Sequence, residues 1–417
     1  MTKNNTYIFI GIILLVVLLI FTFFQSKPPF WDEAYYLENI INLNKTGFSK
    51  QYLINYKGPA GPTYAIIHYL LQPITKLSVP LVRIVNIIFL VGILIYTKKI
   101  FDTLDNTKKN SLVYTISSLS IATVYTISGL ALTEIFAIFF MIFTVYYLVK
   151  YYKENKNNYF LAIISGLSFS LAILARQPII VLWLALPFLF IKQGYLFKFD
   201  FEKKEFIKFS VVTLFTSLLL PFYIFYVWGN IMPVSQTTTG VGISPTNLVL
   251  AFSYAAIFTL FIKPNYFKFK NGSTNRYEFV TVIVISILLN IFFLKIEFSP
   301  FNSIISNWLN PSFLTYYKIG CGSILGFIGL SFIYYFIKKN LLQKDPLILF
   351  FAFGFILIIG TSLKVTHQFS ARYVAQAFPI IVIALHAKGE KINWLSVVTL
   401  AIGGFLGITS LNSYYLN

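Results

Sequence analysis

Cysteine is almost absent. Cys321 is the single one in 417 residues, so neither a disulfide framework nor a thiolate metal cluster can form within the chain. Histidine is nearly as scarce: His68, His367 and His386 lie far apart, and without an HExxH or Cys/His spacing no metal site is read from the sequence. Glycine-rich phosphate cradles are missing too, because "GPAGP" has no lysine-serine ending and "LGFIGL" lies inside an apolar run. A soluble nucleotide donor is therefore not expected. Charged residues make up only 11% of the chain, against 57% hydrophobic and 19% aromatic, with a positive mean hydropathy. That balance excludes a soluble globular domain and a disordered chain, and leaves a polytopic membrane protein. Acids are the rarer sign, 14 against 33 lysines and arginines, for a net charge of +19. The basic residues are scattered in short tufts rather than gathered into a patch or arm, which fits a membrane surface and not nucleic acid. No internal repeat, heptad array, low-complexity tract or inverted pair of broken helices is present, which weakens a transporter reading.

What the chain does have is apolar runs near the roughly 18–20 residues that span a bilayer as a helix. They fall at 7–24, 80–97, 111–129, 133–149, 159–175, 178–192, 209–229, 247–262, 279–294, 314–337, 346–363, 373–387 and 393–411. The expected fold is all-α: one transmembrane domain, 1–417, of about thirteen helices, between about eleven and fourteen. The first run has only Lys3 ahead of it and no small-residue cleavage site behind it, and reads as an uncleaved signal anchor. With the N-terminus inside, every inner loop carries lysine or arginine, and most of the 33 basic residues fall in those loops. This orientation requires that the run 61–75, within "GPAGPTYAIIHYLLQPIT", does not cross. Its shortness, Pro73 and central His68 and Tyr69 suit an interfacial or re-entrant helix. A true crossing is the alternative and would invert every later loop. Residues 25–79 then form the first outer loop, the longest polar-bearing stretch in the chain.

Acids outside the inner loops are few: Asp32, Glu33, Glu38, Glu134 and Glu297. A carboxylate at a membrane rim can deprotonate an acceptor hydroxyl, and Asp32 follows Trp31, whose ring can shield it from water. The plainer reading is a solvated loop acid near the headgroups. Glu134 opens the run "EIFAIFFMIFTVYYL" after the short turn "SGLAL", at or below the outer interface, where an ionisable group is costly and usually serves a site. Its other reading is an acid at a helix N-terminus with Thr133 as the cap. The same rim holds Arg176 and Gln177 in "ARQP", Lys364, His367, Arg372 and Tyr373 in "KVTHQFSARY", and Lys57 in "YKGPAGPTY". Such cations can hold a lipid phosphate while a carboxylate works on a hydroxyl. An arginine at a helix end can equally snorkel to headgroups, and Lys57 can be an ordinary loop lysine.

In order and sidedness, the outer "WDEAYY", the "KGPAGPTY" leading to a flat helix, and the "LTEI" acid resemble the GT-C superfamily of integral-membrane glycosyltransferases. Members transfer a sugar from a polyprenyl or dolichyl phosphate at the outer or lumenal leaflet. "GLSFSLAILARQPII" and "KGPAGPTY" are similar to segments of the protein mannosyltransferase and lipid A aminoarabinose transferase group. "WDE", "RQ" at a span end and "HQF…RY" are similar to the dolichyl-phosphate-glucose α-1,2-glucosyltransferase family. The likeness runs from about residue 7 to 200 and again from 364 to 380. Two departures, Pro178 where the glucosyltransferases have asparagine after "RQ" and Arg176 where the mannosyltransferases have lysine, leave the sugar unassigned.

The resemblance implies an inverting displacement with Asp32 as base, Glu33 as its helper or substitute, and Glu134 at the acidic position that in some members binds acceptor or metal. Lys57, Arg176, Gln177, His367, Arg372 and Tyr373 are implied for the lipid phosphate and substrate. No cofactor is expected, the donor being its own activated group, with a divalent metal the one option left open. Partners implied are a polyprenyl-phosphate sugar, membrane lipids, and an acceptor that is a lipid, a lipid-linked glycan or a protein; with no appended soluble domain in the sequence, a small or lipid-linked acceptor is expected. The expected location is a prokaryotic plasma membrane with the site on the outer face. An endoplasmic reticulum membrane is the alternative, which the sequon "NKT" at Asn44 does not decide. A surface-polysaccharide polymerase or ligase and a lipid or sugar flippase are the competing classes. The first calls for a long late outer loop, where 230–246 and 295–313 are short; the second calls for charges in mid-span, where nearly all lie at span ends.

Overall fold

An apolar main chain with no water to bond must bond to itself, which makes long apolar runs helical. In a computed structural model of the protein, residues 2–104, 110–196, 198–236, 242–267, 276–297, 305–306, 308, 310–389 and 392–416 are described. Among them the chain is helical throughout, apart from loops and one isolated antiparallel bridge between Ile191 and Phe199. Several helix starts are written in the sequence as a small polar residue followed by proline. Ser244, Asn310 and Asp345 each accept hydrogen bonds from main-chain N–H groups of the first turn, with Pro245, Pro311 and Pro346 supplying a preset φ.

Helical segments underlie all thirteen expected spans, but eight of the described helices are long and apolar enough to cross a membrane. A ninth is obtained if the pair Ser111–Ser120 and Ala122–Gly129 counts as one span, although the two are bent by 81°. The remaining expected spans are shorter or irregular. Tyr159–Ala175 has 17 residues, Gln177–Phe190 winds as a 3₁₀ helix, and Asn290–Leu294 ends its run as a π turn. The run 373–387 divides into Arg372–Ala375 and Phe378–His386. Span-length hydropathy does not place these breaks, because one or a few polar residues leave the run apolar on average.

Helix Tyr159–Ala175 lies against Lys204–Trp228 and Glu134–Glu154, and the latter packs on Leu81–Leu104; Trp394–Leu416 closes over Ala122–Gly129. Small polar residues join the helices across these seams. Thr144 donates to Ser165 O at 2.7 Å and Ser170 to Ser217 O at 2.8 Å, which satisfies hydroxyls that lipid would leave unpaired.

The first loop is seated on one end of this bundle by named bonds. Trp228 Nε1 donates to Leu53 O at 2.8 Å and Thr63 Oγ1 to Leu171 O at 2.8 Å, while Tyr56 Oη donates to Gly61 O at 2.9 Å within the loop itself. Gly61 approaches the Tyr159–Ala175 helix so closely that a Cβ there would meet Leu174 O at 2.3 Å. Helix Thr63–Thr75 has 13 residues, about 20 Å at 1.5 Å each, which is short of a bilayer core of about 30 Å. It buries Tyr64, Ala65 and His68 against the bundle and turns Tyr69, Leu70 and Ile74 outward, an amphipathic face of the kind that lies along an interface.

Candidate active site

The segment before helix Asp32–Thr46 turns sharply at Trp31, whose φ of 49° is rare for a bulky residue. Strain of this kind costs about 1–3 kcal/mol and collects at functional sites. The turn leaves the Trp31 ring 71% exposed, edge-on to Phe30 and Tyr414, rather than enclosed with Asp32. Asp32 and Glu33 occupy the first helical turn, where the helix dipole favours negative charge.

The two adjacent acids have opposite surroundings. Asp32 keeps 31% of its side chain exposed and accepts from Arg372 Nη2 at 3.1 Å. Glu33 is buried and fully engaged. Its Oε1 accepts from Arg83 Nε at 2.9 Å and from the Ala131 N–H at 2.6 Å, while its Oε2 accepts from Arg83 Nη2 at 2.7 Å and from the Phe30 N–H at 3.3 Å. The sequence reading did not single out Arg83. Its signal was an arginine inside an apolar run, which is costly unless paired.

Glu134 starts helix Glu134–Glu154 after a short turn, is buried, and forms a short ion pair with Arg176, which caps the end of Tyr159–Ala175. Arg372 reaches toward it as well, with Nη1 3.9 Å from Glu134 Oε1. Asp32, Arg372, Glu134 and Arg176 therefore make a chain of alternating charge running from the exposed rim inward. Burial works against the charge of both guanidiniums, yet Glu134 and Asp32 hold their pKa values above the ordinary arginine value. Tyr36, one helical turn after Asp32, sits behind this chain. Burial pushes its hydroxyl up to about 12, with the Arg176 charge pulling the other way. Among the described residues, Glu134 Oε2, Arg176 Nε and Gln177 Nε2 are buried without a hydrogen-bond partner.

Other expected residues lie further out. His367 Nε2 is 2.9 Å from Tyr373 Oη on the segment that leads into Arg372, and Lys364 is exposed. Lys57 pairs with Glu38 at 2.7 Å, both exposed, and its main chain is clasped by Asn39. Glu297 pairs with Lys318 at 3.0 Å. His68 packs between Tyr64 and Phe136, and burial lowers its pKa to about 4, so it is neutral near pH 7. Among the described residues no three His, Cys, Asp or Glu side chains gather as a metal set. Asp32 and Glu134 are joined through guanidiniums, which offer a cation no ligand and repel it, so the residues as placed do not fit a divalent metal. Chemically, the arrangement puts a reachable carboxylate beside a fixed cation, the pairing that proton removal from a hydroxyl and stabilisation of an anionic leaving group both call for.

Residues 30–232, just under half of the chain, match the family model of dolichyl-phosphate-mannose-protein mannosyltransferase. The match contains Asp32, Glu33, Lys57, Glu134, Arg176 and Gln177 and ends before His367, Arg372 and Tyr373. Among curated proteins nothing matches significantly. One solved structure to which the chain is similar is the Archaeoglobus fulgidus oligosaccharyltransferase, tethered through a disulfide bond to an acceptor peptide containing the NVT sequon. Identity is 13% over 96% of this chain and 55% of that one, with a TM-score of 0.34. The chain thus spans about half the length of that protein. With its apolar helices the chain is an integral, multi-pass membrane protein, and the segment that holds most of the site's acidic and basic residues is similar to that mannosyltransferase family.

Proposed function

We propose that the protein transfers a sugar from a polyprenyl-phosphate donor to an acceptor hydroxyl, by a single inverting displacement, at the bundle end that carries residues 25–79. The observation that carries this reading is the chain from Asp32 through Arg372 and Glu134 to Arg176, in which only the first two members reach the surface to any extent. Asp32 is the base: a carboxylate oxygen takes the acceptor's hydroxyl proton as that oxygen bonds to the anomeric carbon. The bond from the anomeric carbon to the phosphate oxygen breaks on the opposite face, and its electron pair leaves with the phosphate. Arg372 is the cation placed to neutralise that departing charge, with His367 and Tyr373 on the same segment and Lys57 on the first loop as further donors. Glu134 is the inner anchor. It fixes both guanidiniums, so their donors are aimed before the reaction begins and need no reorganisation during it.

The acceptor is a lipid, a lipid-linked glycan or a protein, and the membrane is a prokaryotic plasma membrane with the site on its outer face, the sidedness that the lysine and arginine distribution favours. The test uses the purified protein in lipid with a panel of radiolabelled polyprenyl-phosphate hexoses and a native membrane extract as acceptor. Label should pass to a new product with wild type and fall by about 10²–10⁴-fold with Asp32→Asn, the range for a lost general base. No transfer from any donor, or an Asp32→Asn rate equal to wild type, refutes the assignment.

A further inference from the structure

The turn that delivers Glu134 is held from outside itself. Between helices Ala122–Gly129 and Glu134–Glu154, four of its main-chain groups are bound by side chains from three distant segments. Tyr415 Oη donates to Gly129 O, and Asn86 Nδ2 donates to both Leu130 O at 2.6 Å and Leu132 O at 2.9 Å. Glu33 Oε1 accepts from the Ala131 N–H at 2.6 Å. The Arg83 guanidinium locks the holders together, pairing with Glu33 and lying 5.0 Å from the centroid of the Tyr415 ring. All four side chains are buried.

Any buried turn needs partners for its polar groups, so satisfaction alone would explain some of these bonds. It does not explain their common reference point. Glu33 is the chain neighbour of Asp32, and Ala131 lies three residues before Glu134. The carboxylate that binds the turn therefore also fixes the first turn of the Asp32 helix, and both ends of the charged chain are registered against one frame. We infer that Glu33, Arg83, Asn86 and Tyr415 are positioning residues that set Glu134 and its two arginines against Asp32. Glu33 on this account serves geometry and takes no proton, and a tyrosine in the last helix serves the reaction without touching substrate. The geometric demand is steep, since a misplacement of about 1 Å at a reacting centre can cost about 10²-fold in rate. The inference rests on the reading of Asp32 as base.

Tyr415→Phe is the cleanest perturbation, because it removes one hydroxyl and leaves the ring under Arg83; Asn86→Ala is the second variant. Two readouts are taken on full-length protein in lipid: amide hydrogen exchange, and turnover per folded molecule with donor KM. With Tyr415→Phe, exchange should rise several-fold in 129–134 and in 30–36 together, while the Pro245–Ile262 and Pro311–Leu341 pair stays as in wild type. Turnover should fall about ten-fold with donor KM within about two-fold, as expected when only transition-state geometry is lost. Unchanged exchange at 129–134 in both variants refutes the frame, and loosening confined to 129–134 refutes its coupling to Asp32. Looser exchange with undiminished turnover reduces the four residues to fold stabilisers and overturns the positioning role. If wild type transfers no sugar, the transferase mechanism fails on that arm, and the exchange arm still decides whether one frame holds both segments.

Discussion

Replacing Arg83 by methionine removes both charge-assisted hydrogen bonds from Arg83 to Glu33, at 2.9 and 2.7 Å, in a site where neither side chain meets solvent. A hydrogen bond to a charged group contributes roughly 1.5–3 kcal/mol, so the two together amount to roughly 3–6. Measurements on broken buried pairs, at about 3–5 kcal/mol, agree. The Glu33 carboxylate would be left with the Ala131 and Phe30 N–H groups alone, and a loss of about 4 kcal/mol is expected. Methionine approximates the volume of the arginine stem and head, so packing changes little and the charge accounts for most of the cost. The cycle closes with Glu33→Gln, which alone leaves the Arg83 charge unpaired and should cost about 3–5 kcal/mol; the double variant carries no unpaired buried charge and should lose only about 1–2 kcal/mol, well below the sum of the two singles. Reversible unfolding in mixed micelles, titrated with a denaturing detergent, measures all four corners. A double variant as unstable as the sum of the singles would show that the two groups do not depend on each other. The paired geometry would then be irrelevant to stability.

Arg372→Lys keeps the charge but loses the planar fork that reaches Asp32 and Glu134 at once. Transfer should fall by about 10²-fold with little change in melting temperature, on the scale of one removed donor to a developing anion; a rate within two-fold of wild type refutes the bridging role. Gly61→Ala places a Cβ against Leu174 O, a main-chain atom that cannot rotate away. Stability should drop by about 1–3 kcal/mol, and turnover should fall too, because the displaced helix end carries Arg176. Thermal unfolding together with transfer per folded molecule checks both, and no change in either removes Gly61 from the argument.

The helical, membrane-spanning character was legible because it rests on composition and run length, which local sequence states directly. Breaks within the runs were not. The 81° bend at Ser120–Ala122 follows three serines and the 3₁₀ winding of Gln177–Phe190 opens on Gln177, but the runs around them stay apolar on average, so span-length hydropathy does not mark the breaks. At the site, the residue types signalled position: Asp32, Glu134, Arg176 and Arg372 were found as ionisable groups at span ends, and the structure brings those four together. Roles were harder to read. Lys57 and His367, chosen by the same rule, lie outside the ion-pair chain, with Lys57 on Glu38 and His367 beside Tyr373. Arg83 breaks an apolar run too, but its partner Glu33 lies 50 positions away, and local sequence does not state which acid a buried cation meets.

The adjacent carboxylates of "WDE" show why such a search has to end in three dimensions. Asp32 and Glu33 share a helix turn and a dipole, and nothing local separates their chemistry. Successive helix positions, however, point about 100° apart. One of the pair faces the rim, the other the bundle, and the rest is decided by residues supplied from 50 and 98 positions further along. Arg83 and Ala131 saturate Glu33 and remove it from solvent. Asp32 meets one guanidinium and keeps a third of its surface, so it can still approach a hydroxyl. A proton acceptor needs a free lone pair and a path to its substrate; of the two acids, only Asp32 has both.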